Sequence, residues 1–157
     1  KLGKEMEMQL KSLIKGVTTV IPLLHLQTFD EEEIELVMCG KDTIEINDWK
    51  AHVQYTQGYT AESTAVILFW QCVESFNDSE RAKLLQYVTG SCRVPLGGFA
   101  KLVPQFSIQC VKGVIDKLPS ASTCFNLLKL PAYESLQIMK AKVSLVLQEG
   151  LEGFAFS

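Results

Sequence analysis

Five cysteines, at 39, 72, 92, 110 and 124, and two histidines, His25 and His52, carry the thiol and imidazole chemistry of this 157-residue sequence. The cysteines are odd in number and contain no C-x-x-C pair, so neither a zinc site nor a disulfide framework is expected, and no metal or other cofactor is implied. Reduced thiols of this kind suit the cytoplasm or the nucleus. One of the five stands apart by its surroundings. The stretch "LPSASTCFNLLKLPAYES", residues 118 to 135, places Cys124 after the hydroxyl pair Ser122 and Thr123 and before Phe125 and Asn126, with Pro119 and Pro131 as flanks. A thiolate is an intrinsically strong nucleophile, and prolines stiffen the chain on either side of it. A free cysteine is more often a small buried hydrophobe, and Cys39, Cys72, Cys92 and Cys110 read that way. Cys72 adjoins the apolar face of a helix, and Cys92, in a loop, could be exposed but has no motif. Asn126 can hold the local backbone through its side-chain amide or act simply as a turn former.

The elements that must carry this stretch follow from periodicity and punctuation. Residues 4–15 predict an amphipathic helix closed by Gly16, with Met6, Leu10, Leu13 and Ile14 on one side. Pro22 suits a first helical position, and Asp30 caps a helix whose Glu31, Glu32 and Glu33 favour the positive end of its dipole and whose end is Gly40. Asn47 or Asp48 is expected to cap a short helix holding Trp49 and Val53, and residues 57–60 a turn. Residues 61–76 set Val66, Phe69, Trp70, Val73 and Phe76 on one apolar face. Asn77 or Asp78 then caps a helix with Leu84, Leu85 and Val88, which Gly90 stops, giving a helical hairpin. Residues 91–105, with two prolines and a Gly-Gly pair, predict an ordered loop. Residues 106–111 and 124–130 are strand-like, and a final helix is expected from about Glu134 to Gly150. The fold class is α+β: helices, then a small β-sheet packed with a C-terminal helix, preceded by a short helical N-terminal stub.

Hydrophobic residues at 47% and charged residues at 21% match a folded globular chain. A net charge of −3 without any lysine- and arginine-rich stripe argues against nucleic acid. The longest apolar runs, such as 65–70, fall far short of the roughly 20 residues of a membrane span. The charged N-terminus is unlike a signal-peptide core.

Together, "ESFNDSERAKLLQYVTGSCRVPLGGFAKL", "LPSASTCFNLLKLPAYES" and the terminal "GF" resemble, in order and separation, the C-terminal part of HECT-type ubiquitin-protein ligases. The upstream "IPLLHLQTFDEEEIELVMCG" is similar to the closing segment of that family's larger N-terminal lobe. The resemblance implies that residues 1–39 are the end of the N-lobe, that Gly40, Lys41, Asp42, Thr43, Ile44 and Glu45 form the hinge, and that residues 46–157 are the catalytic C-lobe. It implies Cys124 as the catalytic nucleophile. Cys124 would take ubiquitin's C-terminal acyl group from a conjugating enzyme and pass it to a substrate lysine. Thr123 would orient the acyl group, and Phe154, fourth from the chain end, would dock on the larger lobe. The partners implied are ubiquitin, a ubiquitin-conjugating enzyme met through the mostly absent N-lobe, and protein substrates; the segment by itself is expected to be poorly active.

In this family a histidine usually precedes the Thr-Cys pair, and Ser122 stands there instead. A hydroxyl neither acts as a base near pH 7 nor carries positive charge beside the sulfur. If the histidine assists catalysis elsewhere, this chain is slower; if it only packs, nothing changes. The alternative is a catalytically weak ubiquitin-binding module. A cysteine hydrolase would need His25 or His52 close to Cys124 in space.

Overall fold

The computed structural model describes residues 43–154 except 112, 114 and 115, together with Ser12, Lys15, Gly16 and Thr19; side chains of 149–154 are excluded. The chain divides into two compact units, Lys1–Cys39 and Gly40–Ser157. In the first, Gly16 and Thr19 are both helical, so Gly16 does not close the helix expected to end there. The Thr19 hydroxyl donates to Lys15 O one turn back at 2.7 Å. The predicted helix over 31–39, and Gly40 to Asp42 of the predicted hinge, lie outside the described residues.

The second unit opens with Thr43 to Glu45 in no regular structure, and Ile44 is already buried in its core. Helix α1, Ile46–Ala51, follows. Its N-cap is Glu45, without a side-chain bond, so neither Asn47 nor Asp48 caps it as the sequence predicts. Asp48 is turned elsewhere. Its Oδ2 accepts the Phe99 N–H at 2.8 Å, across 51 residues. Trp49, fully buried, stacks on Phe99 with ring centres 4.8 Å apart and meets the edges of Phe106 and Trp70. This aromatic cluster roots the glycine-rich loop on α1, since such pairs add about 0.5–1.5 kcal/mol beyond area burial.

The predicted helical hairpin is present as α2, Thr64–Glu74, and α3, Asp78–Thr89. Val66, Phe69, Trp70, Val73 and Phe76 are buried, as are Leu84, Leu85 and Val88. A capping box starts α3: Asn77 Oδ1 accepts from Glu80 N at 2.9 Å and Glu80 Oε2 accepts from Asn77 N at 2.8 Å. Gly90 ends it in the left-handed conformation, φ 80°, returning its N–H to Gln86 O.

Four strands form one sheet in the order β1-β2-β4-β3: β1 Gln54–Thr56, β2 Ser107–Val111, β3 Ser120–Ser122 and β4 Leu127–Pro131. β1 and β4 run parallel to β2, with Ser107 opposite Gln54 and Leu127, while β3 is antiparallel to β4. The sequence predicted only two of these strands. It also ran the second one from residue 124, where the structure has a 3-10 turn, Thr123–Phe125, before β4 begins at Leu127. The last helix, α4, spans Leu136–Phe154, starting two residues later than expected and passing through Gly150 instead of stopping there. It packs against α2 and α3, and α3 in turn lies on β3, β4 and the Thr123–Phe125 turn. Among the described residues no helix is long and apolar enough to cross a membrane.

Candidate functional site

The 118–135 stretch folds into a hairpin with Cys124 at its tip. β3 and β4 pair with Ser120 opposite Lys129, Ala121 opposite Leu128 and Ser122 opposite Leu127, so Thr123, Cys124, Phe125 and Asn126 are the connection. The hairpin base is fastened by hydroxyls. Tyr133 Oη donates to Lys117 O, and Tyr87 Oη, from α3, donates to Pro119 O at 3.1 Å. Burial pushes both phenols up, that of Tyr133 to about 12, so they remain protonated donors at any physiological pH. The Lys142 ammonium of α4 adds a bond to Asp116 O at 3.0 Å. Pro119 and Pro131, the flanking prolines, are both buried.

At the tip the burial reverses. Thr123, Cys124 and Phe125 are exposed, Phe125 to 65%, while Ser122 is half-buried at the end of β3. A large aromatic left this open beside a thiol offers apolar surface to something that approaches the sulfur. Asn126 is the exception, only 5% exposed and in the left-handed conformation with φ 47° and ψ 42°. Its backbone N–H closes the turn on Thr123 O at 3.2 Å, its carbonyl accepts from Ser107 N at 2.9 Å, and its side-chain amide donates to Pro104 O.

The other thiols differ in their access. Cys72 is fully buried in α2, and burial pushes its thiol up to about 11. Cys110 is half-buried in β2; Cys92 is exposed in the loop after α3, and Cys39 lies outside the described residues. Burial thus leaves Cys72 much less thiolate than an ordinary thiol, in addition to the shielding by its neighbours. Brief iodoacetamide treatment of the folded chain followed by peptide mapping should therefore modify Cys124 and Cys92 and spare Cys72. Early labelling of Cys72 would contradict its burial.

His52 turns its Nδ1 to Asp48, 2.9 Å from both the backbone oxygen and Oδ1. The ring thus belongs to the α1 anchor of the glycine-rich loop. His25 lies outside the described residues, and so does the side chain of Phe154, whose expected docking is not described. Of the predicted site residues, the structure gathers Ser122, Thr123, Cys124 and Asn126 into one turn. It adds Tyr87, Pro104 and Tyr133, which local sequence patterns did not single out.

The class defined by this geometry is a small α+β lobe with an exposed thiol on a clamped hairpin. The chain belongs to the HECT-domain (ubiquitin-transferase) family, whose model matches residues 1–157. Among its relatives are the E3 ubiquitin-protein ligase ptr1 of Schizosaccharomyces pombe, 41% identical over 100% of this chain and 5% of its own length. The E3 ubiquitin-protein ligase TOM1 of Saccharomyces cerevisiae gives the same figures, 41%, 100% and 5%. The E3 ubiquitin-protein ligase HACE1 of Mus musculus is 38% identical over 100% of this chain and 18% of its own length. The chain thus spans a small part of the relatives it matches.

Proposed function

We propose that this chain carries ubiquitin as a thioester on Cys124 and hands it to a substrate lysine. In the first step the Cys124 thiolate attacks the carbonyl of a conjugating enzyme's ubiquitin thioester. A new C–S bond forms and the enzyme's thiolate leaves. In the second, a lysine amine attacks the Cys124 thioester, an isopeptide bond forms, the amine's proton passes to solvent, and the Cys124 thiolate is released. The observation that supports this reading most directly is the exposure of Cys124 on a fixed turn.

Exchange between two thioesters is nearly balanced in energy, so the protein's task is placement of the sulfur and of the incoming acyl group. The neighbouring Thr123 hydroxyl orients that acyl group in this reading, and exposed Phe125 receives the apolar part of the ubiquitin tail. The reading further assigns residues 1–39 to the end of a larger lobe that meets the conjugating enzyme, and residues 40–45 to the hinge on which the lobe swings. Ile44 within that stretch is buried in the core of the C-terminal unit, so in this reading the chain turns ahead of it. In the same reading Phe154 docks on the larger lobe, and the free thiols support a reducing compartment, the cytoplasm or nucleus.

The test uses a protein with a complete HECT domain ending in this sequence, mixed with charged conjugating enzyme, then alkylated and mapped. Ubiquitin should leave on reduction, and Cys124 should be the thiol it protected from alkylation while Cys92 is alkylated freely. Protection at Cys92 with Cys124 alkylated would refute the assignment.

A further inference from the structure

The side chains of Thr123, Cys124 and Phe125 are exposed, so the turn is held by its backbone lying against α3 and by what fastens the two ends of the four-residue connection. At one end Ser122 is held by its pairing opposite Leu127. At the other, a single residue provides three anchors: Asn126 bonds to Thr123 O, to Ser107 N and, through its amide, to Pro104 O. The first two are backbone bonds, which any residue able to adopt φ 47° would make. Glycine does so at least cost, and asparagine tolerates it. The amide bond to Pro104 is what asparagine adds.

That bond reaches a firmly rooted partner. Next to Pro104, the Gln105 amide donates to His52 O at 2.7 Å and its oxygen accepts from the Gln54 amide at 2.8 Å; Gln54 N donates to Phe106 O at 2.9 Å. The segment after the glycine-rich loop is thereby fixed to the end of α1 and to β1. A side-chain bond from a buried asparagine to such a segment ties the tip of the hairpin to a second, independent part of the core.

We infer that the Asn126 side-chain amide is a positioning group for the transfer reaction: through Pro104 O it fixes the turn that carries the Cys124 sulfur, without touching the reacting atoms. The inference rests on the function proposed above. A sulfur misplaced by about 1 Å costs roughly a hundredfold in rate while remaining fully open to a small reagent. Loss of the amide therefore separates transfer from simple accessibility.

Two variants of a protein with the complete HECT domain test this. Asn126→Gly keeps the left-handed backbone and removes the amide; Asn126→Asp keeps the shape and sets a carboxylate oxygen against the Pro104 carbonyl. Asn126→Gly should melt within about 5 °C of the unsubstituted protein, because one hydrogen bond is lost, and Asn126→Asp lower than that, because a buried carboxylate then faces a carbonyl. Both should react with iodoacetamide at Cys124 within twofold of its rate. The saturating rate of ubiquitin transfer should fall about 10- to 100-fold with the half-saturating concentration of charged conjugating enzyme unchanged, the effect being larger for Asn126→Asp. Transfer by Asn126→Gly within twofold of the unsubstituted protein overturns the inference. So does a loss of transfer matched by an equal loss of alkylation, or seen only in variants that have unfolded, either of which marks a purely structural residue. The unsubstituted protein separates the two readings: if it forms no adduct at Cys124, the proposed function fails, and if it does so normally, only the role of Asn126 is in question.

Discussion

Cys124→Ala should abolish the reductant-sensitive ubiquitin adduct and lower transfer to lysine below detection, a fall of at least about 10⁴-fold, with almost no change in stability. The two halves of this expectation come from the same observation. An exposed thiol on a turn buries little surface, and surface substitutions of this kind stay within about 0.5 kcal/mol. The hairpin is held by Tyr133 on Lys117 O, Tyr87 on Pro119 O and the backbone of Asn126, none of which involves the sulfur. Among the described residues no second thiol stands on a comparable turn. Cys92, the other exposed thiol among the described residues, sits in the loop after α3 without the flanking strands. Cys124→Ser gives a complementary result, because a hydroxyl is a much weaker nucleophile but forms an ester that thiol reductants do not cleave. Its adduct should form slowly and survive reduction. Non-reducing and reducing gels of the two variants, with thermal melts alongside, check both halves. A reductant-sensitive adduct persisting in Cys124→Ala would place the nucleophile elsewhere in the chain.

What the sequence could show depended on how local each cause was. The α2–α3 hairpin was legible because its determinants lie within a turn or two: an apolar face at helical spacing, Asn77 and Glu80 as a capping box, Gly90 as a left-handed stop. β1 and β3 were not, since each has only three residues and neither Gln-Tyr-Thr nor Ser-Ala-Ser carries a strand signal of its own. They exist because β2 and β4 supply partners. The run from Cys124 to Leu130 looked like one strand because Cys124, Phe125, Leu127, Leu128 and Leu130 make it mostly apolar. Asn126 in the left-handed region breaks it, and the three residues before it become a turn.

The same contrast holds at the site. Cys124, Thr123 and Asn126 could be named from their neighbours in sequence. The bonds that fix them span 16, 22 and 32 residues, from Tyr133 to Lys117, Asn126 to Pro104 and Tyr87 to Pro119. Asp48 shows how a local rule misleads. Its place near a helix start read as a cap for α1, yet its carboxylate serves the backbone of Phe99. A helix N-terminus rewards a carboxylate by about 1 kcal/mol, and a buried loop N–H without a partner costs about 1–3 kcal/mol, so the distant demand wins.

Gly98 turns that long-range contact into the second large effect. Its φ of 83° and ψ of −169° lie in a region open essentially to glycine alone, where another residue costs about 1–3 kcal/mol in backbone strain. A Cβ added there would also stand 2.4 Å from Asp48 Oδ2 and 3.2 Å from Asp48 Cγ. That carboxylate cannot move without giving up its partners, because Oδ2 holds Phe99 N at 2.8 Å and Oδ1 lies 2.9 Å from His52 Nδ1. Moving it strands the Phe99 N–H and loosens the stacking of Phe99 on Trp49. Strain and overpacking together should cost about 3–5 kcal/mol. Gly98→Ala should therefore melt roughly 10 °C or more below the unsubstituted chain. Gly97→Ala is the comparison. Its φ of 95° is strained as well, but the nearest obstacle to a Cβ is Lys101 Cγ at 2.9 Å, on a long side chain that can swing away. Its loss should be about half as large, as backbone strain without the clash requires. Removing the carboxylate tests the cause directly. In an Asp48→Ala background the clash is gone, so Gly98→Ala should cost less there than in the native chain, and the double-mutant cycle reads the difference. Equal costs in both backgrounds would show that the backbone alone, and not the carboxylate, demands glycine at this position.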